Sequence, residues 1–170
     1  MNILKCGMVF LFMISVNAQE SKLDKDVATY LDSNGSMLQY DYAYDQLLAM
    51  LEKQYPKSEK NKQGWQYLEG NKATAVAEMK TMLVPVYTKN FEHDAIKKMI
   101  TFYQSEAGKQ LINDRSKMTE TQKQELNTFY NSEVGKVIIE KQTVLTQEIG
   151  KISEVWSRDL YETALSLLKE

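Results

Sequence analysis

From residue 24 onward the apolar residues recur at three- and four-residue spacing, the period of a helix with one buried face. A first helix over residues 24–31 places Val27, Ala28, Tyr30 and Leu31 inside, and Asp32-Ser33-Asn34-Gly35 stops it with turn-forming residues that tolerate left-handed backbone. Ser36 is placed to cap a second helix over residues 37–54, with Leu38, Tyr42, Leu48 and Leu51 near one face and Tyr40, Tyr44 and Leu47 beside them. Pro56 follows, and the polar residues 57–63 read as a loop or linker. A third helix over residues 65–90 carries Val76, Met79, Leu83 and Tyr87 on one stripe. Pro85 interrupts it by deleting the bond to the Thr81 carbonyl, which predicts a kink or break.

The next segment repeats itself. TFYQSEAGK at residues 101–109 returns as TFYNSEVGK at residues 128–136, identical at seven of nine positions. Before the first copy, Phe91 and Ile96 have the spacing of a hydrophobic staple, with Ala95, Met99 and Phe102 as the buried face; before the second, Thr119 and Gln122 form a capping box. Each helix runs into a Phe-Tyr pair, Phe102-Tyr103 or Phe129-Tyr130, turns, and restarts at Ser105 or Ser132. Each serine can accept from orphan amides, Glu106 or Glu133 complements the positive helix end, and Lys109 or Lys136 follows for an ion pair. Gly108 and Gly135 sit where alanine would favour helix, so the preceding rings are expected to lie against bare backbone. The sharper alternative is that each helix start grips a carboxylate or phosphate, but Glu106 and Glu133 already hold the anion position. From 133 to 168 the pattern hardly falters, through Val134, Ile138, Leu145, Ile149, Ile152, Trp156, Leu160, Ala164 and Leu167. A straight rod of that length reaches about 54 Å, so it either breaks near Gly150 or projects into a partner chain. The whole predicts an all-α bundle of about six or seven helices, with a duplicated helix-turn-helix unit and a long C-terminal helix.

Residues 1–18 read as a cleaved signal peptide: Lys5 begins it, residues 8–16 are apolar, and Val16-Asn17-Ala18 supplies small residues for cleavage. The apolar run is too short to span a membrane, which takes about 20 residues. Residues 19–170 are then a single helical domain, exported to the periplasm or cell envelope. Cleavage removes Cys6, the only cysteine, and shifts the formal charge from −2 to −3 by removing Lys5. With no polybasic run, nucleic acid is a poor partner. No disulfide can form, so the core alone holds the fold.

The run MLVPVYTKNFEHDAIKKMITFYQSEAGK at residues 82–109 resembles the signature of domain-of-unknown-function family 2059, at Pro85, Tyr87, Phe91, Phe102, Tyr103, Ser105 and Gly108. The likeness covers residues 79–141 at most. Glu106 stands where that family usually has proline, and Glu92 where it usually has threonine; both departures touch helix starts. The resemblance implies an exported, all-helical bacterial envelope protein and no established activity.

Candidate chemistry is sparse. His93, the only histidine, lies between Glu92 and Asp94, whose side chains diverge by about 100° on a helix, so a solvated helix start is the expectation and no metal or cofactor is. No nucleophile elbow, phosphate loop or dinucleotide fingerprint occurs. Tyr40, Tyr42 and Tyr44, with Asp41 and Asp45, would suit surface recognition of a glycan or protein if exposed. The leading expectation is therefore a non-catalytic binding protein of the envelope. A carrier holding an apolar small molecule between helices is the alternative, motivated by six methionines beyond the leader and many aromatics. An envelope hydrolase is the third. Self-association is expected to run through the apolar stripe of the C-terminal helix.

Overall fold

A computed structural model describes the backbone of residues 10–169 and the side chains of residues 22–169, and the regular structure there is helical throughout. The elements are α1 (Phe10–Ser33), α2 (Ser36–Gln54), α3 (Lys62–Gly70), α4 (Lys72–Asn90), α5 (His93–Gln104), α6 (Glu106–Asp114), a 3₁₀ turn (Arg115–Lys117), α7 (Glu120–Asn131) and α8 (Glu133–Leu168). The all-α architecture is as expected, with eight α-helices among the described residues where six or seven were anticipated. The additional one arises at Gly70-Asn71, a pair of poor helix formers that splits the expected third helix into α3 and α4. At Pro85, where a kink or break was anticipated, α4 runs on without interruption. The ring is on the exposed side of the helix, so water can reach the Thr81 carbonyl whose partner is missing.

Two other boundaries differ from the sequence reading. Helix α1 already runs at Phe10, the first described residue, and does not wait until near residue 24; no glycine or proline occurs between Phe10 and Ser33 to interrupt it. It thereby crosses the expected cleavage position, while Lys5 and Cys6 of the expected leader lie outside the described residues. Ser36 does not cap α2. Gly35 occupies the cap with φ 82°, and the Ser36 amide donates to Asn34 Oδ1 at 2.9 Å. The buried stripe of α2 is Met37, Tyr44 and Leu51, flanked by half-buried Tyr40, Leu47 and Leu48. Of the stripe read in sequence Leu51 is buried and Leu48 half-buried, but in the first half of the helix Met37 and Tyr44 turn inward and leave Leu38 and Tyr42 64% and 63% exposed. The alternating aromatics of this segment satisfy either register locally; contact with α1 and α4 selects one.

The segment read as a linker is tied down. Asn61 is buried, its amide donating to the Pro56 carbonyl at 3.1 Å while its Oδ1 accepts from the Ser58 amide at 2.8 Å. Trp65 closes the loop by donating from Nε1 to the Tyr55 carbonyl at 3.2 Å.

The main core gathers residues from α1, α2, α4, α5, α6, α7 and α8 around Val27, Leu31, Met79, Leu83, Ile96 and Met99. A smaller cluster, Leu51, Trp65, Leu68, Ala164 and Leu168, seals the far end of α8. Helix α8 is continuous for 36 residues and does not break at Gly150. Its stripe is covered within the chain, with α7 and α5 at its start, then α4, then α3 near its end. The length that suggested a partner chain is thus taken up by neighbours along the way, and self-association loses the motive that the sequence offered. Gly150 is exposed, and a Cβ added there meets nothing within 4 Å. Gly150→Ala should therefore raise stability by about 1 kcal/mol, seen as a thermal midpoint roughly 3 °C higher. A lowered midpoint would show that the glycine is needed for the helix to curve.

Candidate functional site

The two copies of the repeat form the same joint. Helix α5 ends at Ser105 (φ −70°, ψ 166°) and α7 at Ser132 (φ −69°, ψ 169°), both extended, both heading the next helix. The Ser105 hydroxyl accepts from the Gly108 amide at 3.2 Å, and the Ser132 hydroxyl from the Gly135 amide at 3.3 Å. Lys109 pairs with Glu106 at 3.1 Å; the corresponding pair between Lys136 and Glu133 is not made, so charge does not hold the joint. The glycines have a different reason from the one expected. Nearest to a Cβ at Gly108 would be the backbone of Phe102 and Tyr103, and at Gly135 that of Phe129 and Tyr130, so the closest approach is by main chain rather than ring.

The rings turn inward and join the copies to each other. Phe102 and Phe129 stack with centroids 4.1 Å apart and planes at 6°. The Tyr103 ring lies edge-on to Phe129 at 6.3 Å, and burial, with the Tyr30 and Tyr130 phenols nearby, raises its pKa. Tyr30 packs edge-on to both Tyr87 and Tyr103. Burial pushes the Tyr87 phenol up to about 12, so these hydroxyls stay neutral at physiological pH. The copies thus meet with Phe on Phe, and with Tyr103 of the first against Phe129 of the second. This makes one packed aromatic seam from two sequence copies.

Against the outer side of this seam lies a groove of about 490 Å³, open to solvent, between α6, the 3₁₀ turn and α7. Leu111, Met118, Leu126 and Tyr130 supply its apolar lining, and Arg115, Lys123 and Asn127 its polar lining. Of the residues picked out in the sequence only Tyr130 reaches it. The others stand in the stretch between the two copies, and their only signal was that position, between two matched helix starts.

Two further hollows occur. One of about 560 Å³ lies between the start of α5 and the start of α8, lined by Phe91, Val134 and Val137 with three lysines and three glutamates. The other, of about 290 Å³, lies on α3 with two lysines and two glutamates around Trp65. Each balances its charges.

The remaining expected sites are redistributed. Tyr44 is 1% exposed and donates to the Leu68 carbonyl at 2.7 Å; Tyr40 is half-buried, bonded to Ser153 Oγ at 2.8 Å and edge-on to Trp156. Only Tyr42 of the three is at the surface, because alternate positions on a helix differ by about 200°, which turns Tyr42 away from the face that Tyr40 and Tyr44 share. Asp41 and Asp45 both hold the Lys72 ammonium, at 2.7 and 2.8 Å. His93 is not a solvated helix start. Its side chain is 17% exposed and Nε2 lies 2.6 Å from Asp26 Oδ2, fastening α5 to α1. It lines none of the three hollows. Among the described residues no group of three His, Cys, Asp or Glu side chains is placed to hold a metal ion, and no helix is long and apolar enough to cross a membrane.

Fold and joint together define a helical protein built on a duplicated helix-turn-helix seam. A family model described as an uncharacterised protein conserved in bacteria matches residues 77–121 and again residues 115–162, each match holding one copy of the joint. The two span half of the chain, which belongs to domain-of-unknown-function family 2059. No curated protein and no solved structure matches it.

Proposed function

We propose that this protein is exported to the periplasm or cell envelope and acts there without catalysis, by binding a ligand in the groove between α6 and α7. The observation that carries the reading is the lining of that groove: half-buried Leu111, Leu126 and Tyr130 beside buried Met118, with two cations and no acid among them. Such a surface offers contact area and orientation to a ligand, which is what a binding site requires. It offers no nucleophile and no paired acid and base. Export is supported by the basic start, the apolar run and the small residues before Gln19.

Both halves can be tested on one preparation. Protein recovered from the extracytoplasmic fraction of a bacterial host should have Gln19 at its N-terminus. Native mass spectrometry of that material should show a retained small molecule, and Leu126→Asp should lose it. An intact N-terminus in the cytoplasmic fraction would refute export, and ligand retention unaltered by Leu126→Asp would refute the groove.

A further inference from the structure

We infer that the groove takes a single-chain amphiphile with an acidic head group, an inference that rests on the groove being the binding site. Of the three hollows described, two mix lysine and glutamate in equal numbers, while this one is lined by Arg115 and Lys123 with no carboxylate. In a chain with 21 basic and 23 acidic residues, a wall of one sign is a departure from the rest of the surface.

The polar groups are also of one kind. Arginine and lysine only donate hydrogen bonds. The side-chain oxygen of Asn127 already accepts from Asn131 at 2.9 Å, so its amide nitrogen is what remains to offer a ligand. Lys123 is held by Glu120 at 2.7 Å, whereas Arg115 makes no ion pair among the described residues. Arg115 is therefore the primary partner for a head group that only accepts, and the fork of its guanidinium fits two oxygens of one carboxylate or phosphate.

The apolar part has its own place. Leu111, Met118, Leu126 and Tyr130 line the same groove, beside the aromatic seam. About 490 Å³ suits one acyl chain and lies within the range of small-ligand sites, roughly 300–1,000 Å³. An unbranched chain fits a groove open along one side. Methionine and leucine adapt to such a tail without requiring one fixed shape.

Isothermal titration of the purified protein tests this with laurate, dodecyl phosphate, dodecyl maltoside and acetate, each amphiphile below its micellar concentration. Laurate and dodecyl phosphate should bind at least about tenfold more tightly than the neutral maltoside, and acetate, a head without a tail, should not bind. A preference for one of the two acids assigns the head as carboxylate or phosphate. Arg115→Gln should weaken both acids about tenfold and leave the maltoside unchanged, Arg115→Lys should retain part of the affinity, and Leu126→Asp should abolish all three. Arg115 is exposed, so its variants should keep the parent's thermal midpoint within about 2 °C, whereas Leu126 is half-buried against the main core, so Leu126→Asp is compared below its own midpoint with the helical circular dichroism of the parent retained. Equal binding of the maltoside and the acids, with Leu126→Asp still disruptive, would overturn the acidic head and leave the groove standing. Binding that ignores both Arg115→Gln and Leu126→Asp, or no binding of any amphiphile, would overturn the inference. The host-retained ligand and its response to Leu126→Asp then decide separately whether the groove is a site.

Discussion

Alanine in place of Gly108 should destabilise the protein by about 3 kcal/mol, lowering the thermal midpoint by roughly 9 °C. The added methyl would run into the Phe102 carbonyl oxygen, with Tyr103 Cα at 2.5 Å and the Phe102 carbonyl carbon at 2.9 Å. These are backbone atoms at the end of α5. They can retreat only if the joint opens, and opening pulls both Phe102 and Tyr103 off Phe129. Helix propensity acts the other way, favouring alanine by up to about 1 kcal/mol, and is outweighed. Gly135→Ala meets the Phe129 and Tyr130 carbonyl oxygens and the Tyr130 carbonyl carbon at 2.6 Å, so a loss of similar size should follow. Gly150→Ala, the same substitution with open space around it, moves the midpoint upward. Scanning calorimetry of the three variants reads the difference directly; unchanged midpoints at both 108 and 135 would end the close-approach account of the joint.

The second large effect should come from Trp156→Ala, a loss of about 3–5 kcal/mol measured by urea denaturation. Trp156 stands in the middle of α8, buried in the main core, edge-on to Tyr40 at 5.5 Å, with Nε1 donating to the Ala75 carbonyl at 3.0 Å. It therefore joins α8, α2 and α4 in one place, and the void left by the indole cannot be filled from either side. The Ala75 carbonyl keeps its bond along α4, so lost packing should dominate over the lost hydrogen bond. Trp65, the only other tryptophan, remains to report the smaller cluster by fluorescence. A loss below 1 kcal/mol would show that α8 is held mainly by its ends.

The joint was the most legible part of the structure. Ser105, Ser132, Thr119 and Gln122 could be read because a cap is a local arrangement within four residues, and the bonds are where the spacing put them. The error over what the glycines face came from the same source. Gly108 is compatible with a ring or a carbonyl passing beside it, and only the direction of α5 relative to α6 distinguishes them. Tyr40, Tyr42 and Tyr44 misled for a related reason: composition marked the stretch as aromatic and acidic, but which tyrosine is outside depends on the rotation of α2 against α1 and α4. His93 shows the limit most simply. Its sequence neighbours are irrelevant, and its partner, Asp26, stands 67 residues earlier.

By itself, the order of residues determined that the chain is helical, where most helices start and stop, and that one joint is built twice. Periodicity, caps and glycine act over a single turn, and a turn is visible in ten letters. Only the tertiary structure decided that the two joints lock through stacked phenylalanines with Tyr103 edge-on to Phe129, that α8 stays whole, and that Arg115 and Lys123 come to line an apolar groove without a carboxylate. Those outcomes depend on how helices rotate and settle against each other, and that is set by packing summed over the whole core, which no short stretch of sequence contains.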